Sequence, residues 1–231
     1  MSALLTTSAY LLRSVAVGER DLILTLLTES RGKISAIARG GQASKRRFAG
    51  ALEPLQRIEL ELTHAERDIA TLNAARIERP YPALSLRLER LDVAGRALRW
   101  ARHVLPPRVP EPELWASLER LLRDLENAED DGSAELFVFG LELLEIVGVA
   151  MTFDKCGVCG RPRPEGRSAH VDVARGGIVC TSCGGARRTL DAETLDALVH
   201  VTRGPALGVG LELIEAALSV HTSYEEGGTA R

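Results

Sequence analysis

Asp21-Leu22-Ile23-Leu24-Thr25-Leu26-Leu27-Thr28-Glu29-Ser30-Arg31-Gly32-Lys33-Ile34-Ser35-Ala36-Ile37-Ala38-Arg39 reads as two strands and the turn that joins them. Asp21 to Thr28 is dense in Leu, Ile and Thr and alternates poorly, as a strand covered on both faces does. Ser30-Arg31-Gly32-Lys33 is a tight turn. Lys33 to Arg39 then sets apolar residues at alternate positions 34, 36 and 38, with Ile37 beside them. Upstream, Ser8 to Val17 is apolar and β-rich and stops at a turn signal, Gly18-Glu19. Downstream, Arg57-Ile58-Glu59-Leu60-Glu61-Leu62-Thr63 alternates strictly, as a half-exposed strand does. His64 to Asp68 turns the chain, and Ile69 to Ile77 supplies a fifth strand. Five short strands without a helical period point to a small barrel. The long connection after the third, Gly40 to Pro54, matches the OB-fold in strand count and size.

Pro80-Tyr81-Pro82 ends the β-rich part, and the period becomes helical. A helix is expected over 83–104, with Leu84, Leu88, Leu91, Leu98 and Ala101 on its apolar face. Pro112 suits the first turn of a second helix carrying Leu114, Leu118, Leu121, Leu122 and Leu125. Ala134 to Val149 is apolar nearly all round, which places it centrally in a bundle. Asp191 is a candidate cap for a helix through Leu195, Leu198 and Val199. Gly204-Pro205 breaks it, a last helix follows over about 207–220, and the tail from Glu225 is polar. The expected organisation is α+β and multidomain: a barrel domain over 1–79, a helical domain over 80–150, a cysteine module over 151–189 inserted in it, and completing helices over 190–231.

The chain has four cysteines, Cys156, Cys159, Cys180 and Cys183. Each C-x-x-C pair can place two thiolates on one turn, and two such turns complete the closed tetrahedral S₄ shell that structural zinc favours. Disulfides are the rival use of four cysteines, but paired C-x-x-C spacing in an intracellular chain favours one structural Zn²⁺. His170 lies between the pairs and could replace a ligand, yet four thiolates need no substitute. A closed site has no open position for a reacting group, so the ion is expected to act as a staple.

Formal charge is −3, but residues 13–50 hold eight Lys or Arg against three acids. A basic module on an acidic body is a candidate for binding a polyanion. Its centre is the loop Gly40-Gly41-Gln42-Ala43-Ser44-Lys45-Arg46-Arg47, and Lys33 and Arg39 lie just before it. Only Tyr10 and Phe48 are aromatic within residues 1–79, too few for a row of base-stacking platforms. Contacts with the nucleic-acid backbone would therefore dominate, with weak sequence preference. No P-loop, Rossmann fingerprint, nucleophile elbow or H-E-x-x-H is present, and the five histidines are scattered, so an enzyme is not expected. No apolar run reaches the roughly 18 to 20 residues of a membrane span. The start of the chain lacks a secretory pattern, which suggests a cytoplasmic protein. Two other classes stand beside DNA binding: a zinc-ribbon scaffold for protein partners only, and a metalloenzyme, against which the closed thiolate shell argues.

The stretch Asp21 to Gly40, followed by Ser44-Lys45-Arg46-Arg47 and Gly50-Ala51-Leu52-Glu53-Pro54-Leu55, resembles the N-terminal part of bacterial RecO recombination mediator proteins. The order of modules along the chain is similar too. The resemblance implies an OB-fold that binds single- and double-stranded DNA and anneals complementary strands. It also implies loading of the RecA recombinase onto DNA coated by single-stranded-DNA-binding protein, with RecR as partner and the acidic tail of the coating protein as a contact. Lys33, Arg39, Lys45, Arg46 and Arg47 match basic positions of the family's barrel and loop, which implies phosphate contacts. Cys156, Cys159, Cys180 and Cys183 match the zinc module of many members. A partner-binding groove on the helical domain is expected near Arg96, Arg99 and Arg102. The family's basic C-terminal segment has no counterpart in Leu211 to Arg231, so no DNA contact is expected there.

Overall fold

A computed structural model of the chain describes residues 4–43, 47, 48 and 50–228, with side chains to 221. The chain divides into two compact units, Met1–Ala128 and Glu129–Arg231.

The first unit is built on β1 (Leu5–Val17), β2 (Asp21–Thr28), β3 (Gly32–Ala38), β4 (Gln56–Thr63) and β5 (Ile69–Pro80). They close into a barrel in the order β1-β2-β3-β5-β4, the five-stranded OB-type barrel that the strand pattern predicts. Closure needs one parallel pairing, and it is short: Ser35, Ala36 and Ile37 of β3 lie beside Ile69, Ala70 and Thr71 of β5. The interior follows from alternation. Ala9, Leu11, Leu24, Leu26, Ile34, Ala36, Ala38, Ile58, Leu60, Leu62, Ala70 and Leu72 fill it. Many are alanines because a five-stranded barrel leaves little room inside. The register of β1 against β2 slips by one residue at Leu12, so Leu11 and Leu12 are both buried.

The described residues at the end of the connection from β3 to β4 pack onto the barrel. Phe48 and Ala51 enter the core, and Phe48 is 2% exposed. The Ala75 amide donates to the Arg47 carbonyl at 3.1 Å. The Gly40 amide donates to the Asp21 carboxylate at 2.7 Å, tying the start of the loop to the β1–β2 turn.

The helices of this unit are α1 (Leu88–Val104) and α2 (Pro112–Asn127). The single helix expected over 83–104 is divided. Pro82–Leu86 is a short 3₁₀ segment, and Arg87 is extended with φ −136° and ψ 122°. That break resets the helical phase, so Leu86 and Leu88 are 81% and 78% exposed, while Val93, Ala94, Ala97, Leu98, Ala101 and Val104 turn inward. In α2 the expected stripe of Leu114, Leu118, Leu121, Leu122 and Leu125 is buried, and Trp115 joins it.

The outside of the barrel is covered where α2 meets β1. Tyr10 points away from the barrel interior and packs on Trp115, with ring centroids 4.8 Å apart, an arrangement worth about 0.5–1.5 kcal/mol beyond its buried area. The Tyr10 hydroxyl lies 3.2 Å from that of Tyr81. Arg57 of β4 donates to Glu119 of α2 at 2.8 Å and to Glu78 of β5 at 3.1 Å.

A second seam joins the end of α1 to the start of β3. The Arg108 amide donates to the Lys33 carbonyl at 2.8 Å, and Lys33 Nζ donates to the Arg102 carbonyl at 2.8 Å. The backbone comes so close at Gly32 that an added Cβ would lie 1.9 Å from the Val109 oxygen.

The second unit packs α3 (Ser133–Ile146), α4 (Ala192–Val199) and α5 (Pro205–Gly228) beside a small sheet of β6 (Ala169–Asp172), β7 (Gly177–Val179) and β8 (Arg188–Leu190), ordered β7-β6-β8. Asp191 caps α4 as expected, accepting from the Thr194 amide at 2.7 Å. The last helix starts at Pro205, in its first turn, and its backbone runs to Gly228, past the expected end near 220. Arg203 bridges Asp130 at 2.6 Å and Glu135 at 3.0 Å, and Arg163 pairs with Asp196, anchoring the cysteine module to α4.

Gly32→Ala tests the seam between α1 and β3. Its φ of +64° is like the +62° of Gly18, where an added Cβ meets nothing. Gly18→Ala should cost about 1 kcal/mol for the left-handed backbone alone. Gly32→Ala should cost about 2–4 kcal/mol, because backbone must also move. Urea unfolding of the two variants measures the difference.

Candidate nucleic-acid interface and metal centre

Alternation that fills the barrel also decides what it shows to solvent. With Leu24, Leu26, Ala36 and Ala38 inward, their neighbours face out. Cross-strand pairing aligns them in rows: Arg13, Thr25, Ser35 and Ile69, then Val15, Ile23, Ile37 and Thr71. Val15, Val17 and Ile69 are exposed, and Ile23 and Ile37 are half-buried. Cations bound this aliphatic strip at both ends. Arg39 follows β3 at one end, Lys33 is the second residue of β3 at the other, and rises of about 3.3 Å per residue set them about 20 Å apart.

Arg39 and Arg47 are brought together. The Arg47 guanidinium donates to the Arg39 carbonyl and sits over the Phe48 ring, 5.0 Å from its centroid. Phe48 thus serves two ends: its ring plugs the barrel, and its face fixes the adjoining cation. Lys33 is half-buried and reaches the C-terminal turn of α1. Lys45 and Arg46 lie outside the described residues. Sequence reasoning placed Arg96, Arg99 and Arg102 in a partner groove. Of these, the Arg96 guanidinium stands over the Trp100 ring at 5.4 Å, and Arg102 lies against Lys33. The convergence of Arg102 with β3 had no signal in sequence, since the two are about seventy residues apart.

The four cysteines do converge. Their sulfurs all lie within 4.8 Å of one another. Cys159 Sγ and Cys180 Sγ are 3.8 Å apart, and a tetrahedral ion with metal–sulfur bonds of about 2.3 Å requires sulfur separations of about 3.8 Å. Such spacing is far beyond a disulfide bond of about 2.05 Å. The Cys180 amide points at Cys156 Sγ from 3.4 Å. Amide donors from Cys180 and then Cys159 draw the Cys156 thiol down to about 6, whereas hydrogen bonds with Cys180 and Cys159 push Cys183 up to about 12. Sulfurs this close resist carrying four negative charges together until a cation shares them. Cys156, Cys159, Cys180 and Cys183 could together hold a metal ion. Arg161 donates to Ser182 at 3.1 Å, linking the two cysteine turns, and Arg175 braces the second by donating to the Cys183 and Gly185 carbonyls. His170 is not among the clustered ligands; its Nδ1 faces the Thr189 hydroxyl at 3.3 Å.

The comparison with known proteins joins these two sites in one family. The model for the N-terminal domain of recombination protein O matches residues 1–81, and that for its C-terminal domain matches residues 86–218. The chain belongs to the RecO family. It is 39% identical to the DNA repair protein RecO of Anaeromyxobacter sp. (strain K) over 197 residues, 84% of this chain and 77% of the relative. Identity to that of Myxococcus xanthus is 37% over 176 residues, 76% of this chain and 71% of the relative. The RecO of Geobacter sulfurreducens is 31% identical over 224 residues, 92% of this chain and 90% of the relative. RecO membership supports a role in DNA repair and recombination, with DNA and the recombination machinery as partners in general. Among the described residues, no helix is long and apolar enough to cross a membrane.

The sulfur geometry predicts one tetrahedral ion per chain. Elemental analysis of purified protein should find about one equivalent, and Cys159→Ser with Cys183→Ser should reduce it to trace. Amide exchange in residues 151–190 should then accelerate before exchange in the barrel strands does.

Proposed function

We propose that the chain is a recombination mediator that binds single- and double-stranded DNA without sequence preference, through phosphate contacts from Lys33, Arg39, Lys45, Arg46 and Arg47. The observation that supports this reading best is the part of the outer face where Val15, Ile23 and Ile37 lie beside Arg13, Thr25 and Ser35: a strip without aromatic rings, with Arg39 and Lys33 toward its two ends. Such a face holds a phosphate backbone by charge and lets bases lie against Val15, Ile23 and Ile37 without reading them. Annealing then needs no covalent chemistry. A basic surface that holds one strand screens its charge and raises the local concentration of a second beside it. In this reading the protein works with RecR to help load RecA onto DNA coated by single-stranded-DNA-binding protein. Displacing that coat requires only a competing contact, such as one with its acidic tail.

The metal in this reading is a single Zn²⁺ held by Cys156, Cys159, Cys180 and Cys183. Zinc would supply a closed structural crosslink and leave no coordination position for a reaction. The chain's own residues do the rest: Arg161 and Arg175 hold the two cysteine turns in register, and the Arg163–Asp196 pair fastens the module to α4.

A salt titration of fluorescent single-stranded DNA tests the reading. Arg39→Ala combined with Lys45→Ala, Arg46→Ala and Arg47→Ala should flatten the slope of log K against log salt by about 2 to 3. Affinity should fall by about 10- to 100-fold near 0.1 M salt. Binding that keeps its slope in this variant would move the interface off the barrel.

A further inference from the structure

The seam between β3 and α1 gathers more positive charge than helix capping needs. Carbonyls at the C-terminus of α1 attract a cation, and Lys33 Nζ fills that role on the Arg102 oxygen. Yet the last turn also carries Arg102 and His103, Arg99 lies one turn before them on the same side of the helix, and the positive charge of Arg13 of β1 acts on Arg102. The Arg102 guanidinium lies 3.0 Å from His103 Nε2. Arginine can only donate, so this contact requires Nε2 to accept, and His103 is neutral with its proton on Nδ1.

We propose that the DNA track continues off the barrel across this seam, where Arg13, Lys33, Arg99, Arg102 and His103 form a phosphate subsite that takes up one proton at His103 Nε2 when a DNA phosphate enters. The proposal rests on the reading that the barrel binds DNA, and adds to it a second element and a proton.

Geometry supports it first. Arg13 stands in the outward row next to the one that holds Lys33, so the subsite continues the aliphatic strip rather than lying on another face. Arg99 and His103 are exposed and Arg102 is half-exposed, so a phosphate can reach them. The electrostatics agree. Burial first, then Arg102, Lys33 and Arg99, hold His103 below its ordinary 6.5. Burial first, then Arg13 and Arg99, also lower Arg102. An entering phosphate offsets those like charges, draws the guanidinium away from Nε2 and supplies an acceptor for the proton that Nε2 then gains from solvent. No bond other than that N–H is made. The linkage follows with a definite sign. The complex binds more protons than the free protein, so affinity rises as pH falls toward the ordinary imidazole range. For the free protein the sign is opposite: the unfolded chain takes the proton more readily, so stability falls as pH drops below about 6.5.

The experiment is fluorescence anisotropy with a single-stranded oligonucleotide at constant ionic strength between pH 5.5 and 8. It compares the full chain, His103→Gln, Arg99→Ala/Arg102→Ala and Arg39→Ala/Arg47→Ala, each checked for folding by thermal unfolding. The unaltered chain should gain about 3- to 10-fold in affinity from pH 8 to pH 6, and one proton permits no more than tenfold per pH unit. His103→Gln should lose the pH dependence, so that its affinity falls below that of the unaltered chain by a factor that grows as pH drops from 8 to 6. Arg99→Ala/Arg102→Ala should weaken binding about tenfold and flatten the salt slope by about 1.4, the value for two phosphates of a single strand. If Arg39→Ala/Arg47→Ala weakens binding but Arg99→Ala/Arg102→Ala does not, the subsite is refuted and the barrel reading stands. A pH dependence that survives in His103→Gln also refutes the subsite. Absence of DNA binding by the unaltered chain at low salt overturns the barrel reading, and the subsite with it.

Discussion

The backbone contact at Gly32 is the constraint on which the first unit depends. A β-carbon there would stand 1.9 Å from the Val109 oxygen, so the chain after α1 can lie against β3 only because residue 32 has none. From that contact follow the pairing of the Arg108 amide with the Lys33 carbonyl and the reach of Lys33 to the end of α1. The Tyr10–Trp115 pair and the Arg57–Glu119 ion pair close another part of the barrel's exterior in the same unit. What stays open is the strip through Val15, Ile23, Ile37 and Ile69. Helix packing thus selects the face that remains for a ligand, and strand alternation determines that aliphatic and small polar residues share this face with flanking cations.

Strand and turn chemistry made the barrel legible. Asp21–Thr28 begins and ends as its apolar run predicts, and the strict alternation of residues 57–63 is the observed burial pattern of β4. The cysteine centre was legible for a different reason: thiolate chemistry admits few uses of two C-x-x-C pairs, and all four sulfurs meet. Helix phase was harder. Leu84 and Leu88 look like part of one apolar face, but the extended backbone at Arg87 separates Leu84, buried, from Leu88, exposed. Pro80 marks the change from strand to helix in sequence, whereas the compact unit runs on to Ala128 because α1 and α2 cover the barrel. Periodicity reports which face of a helix is apolar, not which neighbour covers it.

The same limit explains why the basic residues were only half legible. A run such as Arg39 to Arg47 is visible because its members are close in sequence. The meeting of Lys33 with Arg102 is tertiary, and it gives each residue a second context: Lys33 caps a helix while it borders an open face. The cysteine module, in the other unit, carries its own internal bracing from Arg161, Arg163 and Arg175. That bracing is consistent with a role in holding its own unit together.

Hydrogen–deuterium exchange of the full chain with and without single-stranded DNA tests the central claim most directly. The account predicts protection in β2, β3 and the loop after β3, extending to the last turn of α1, with residues 151–190 unchanged. Protection confined to the cysteine module or to α3–α5, with the barrel strands unaffected, would contradict it.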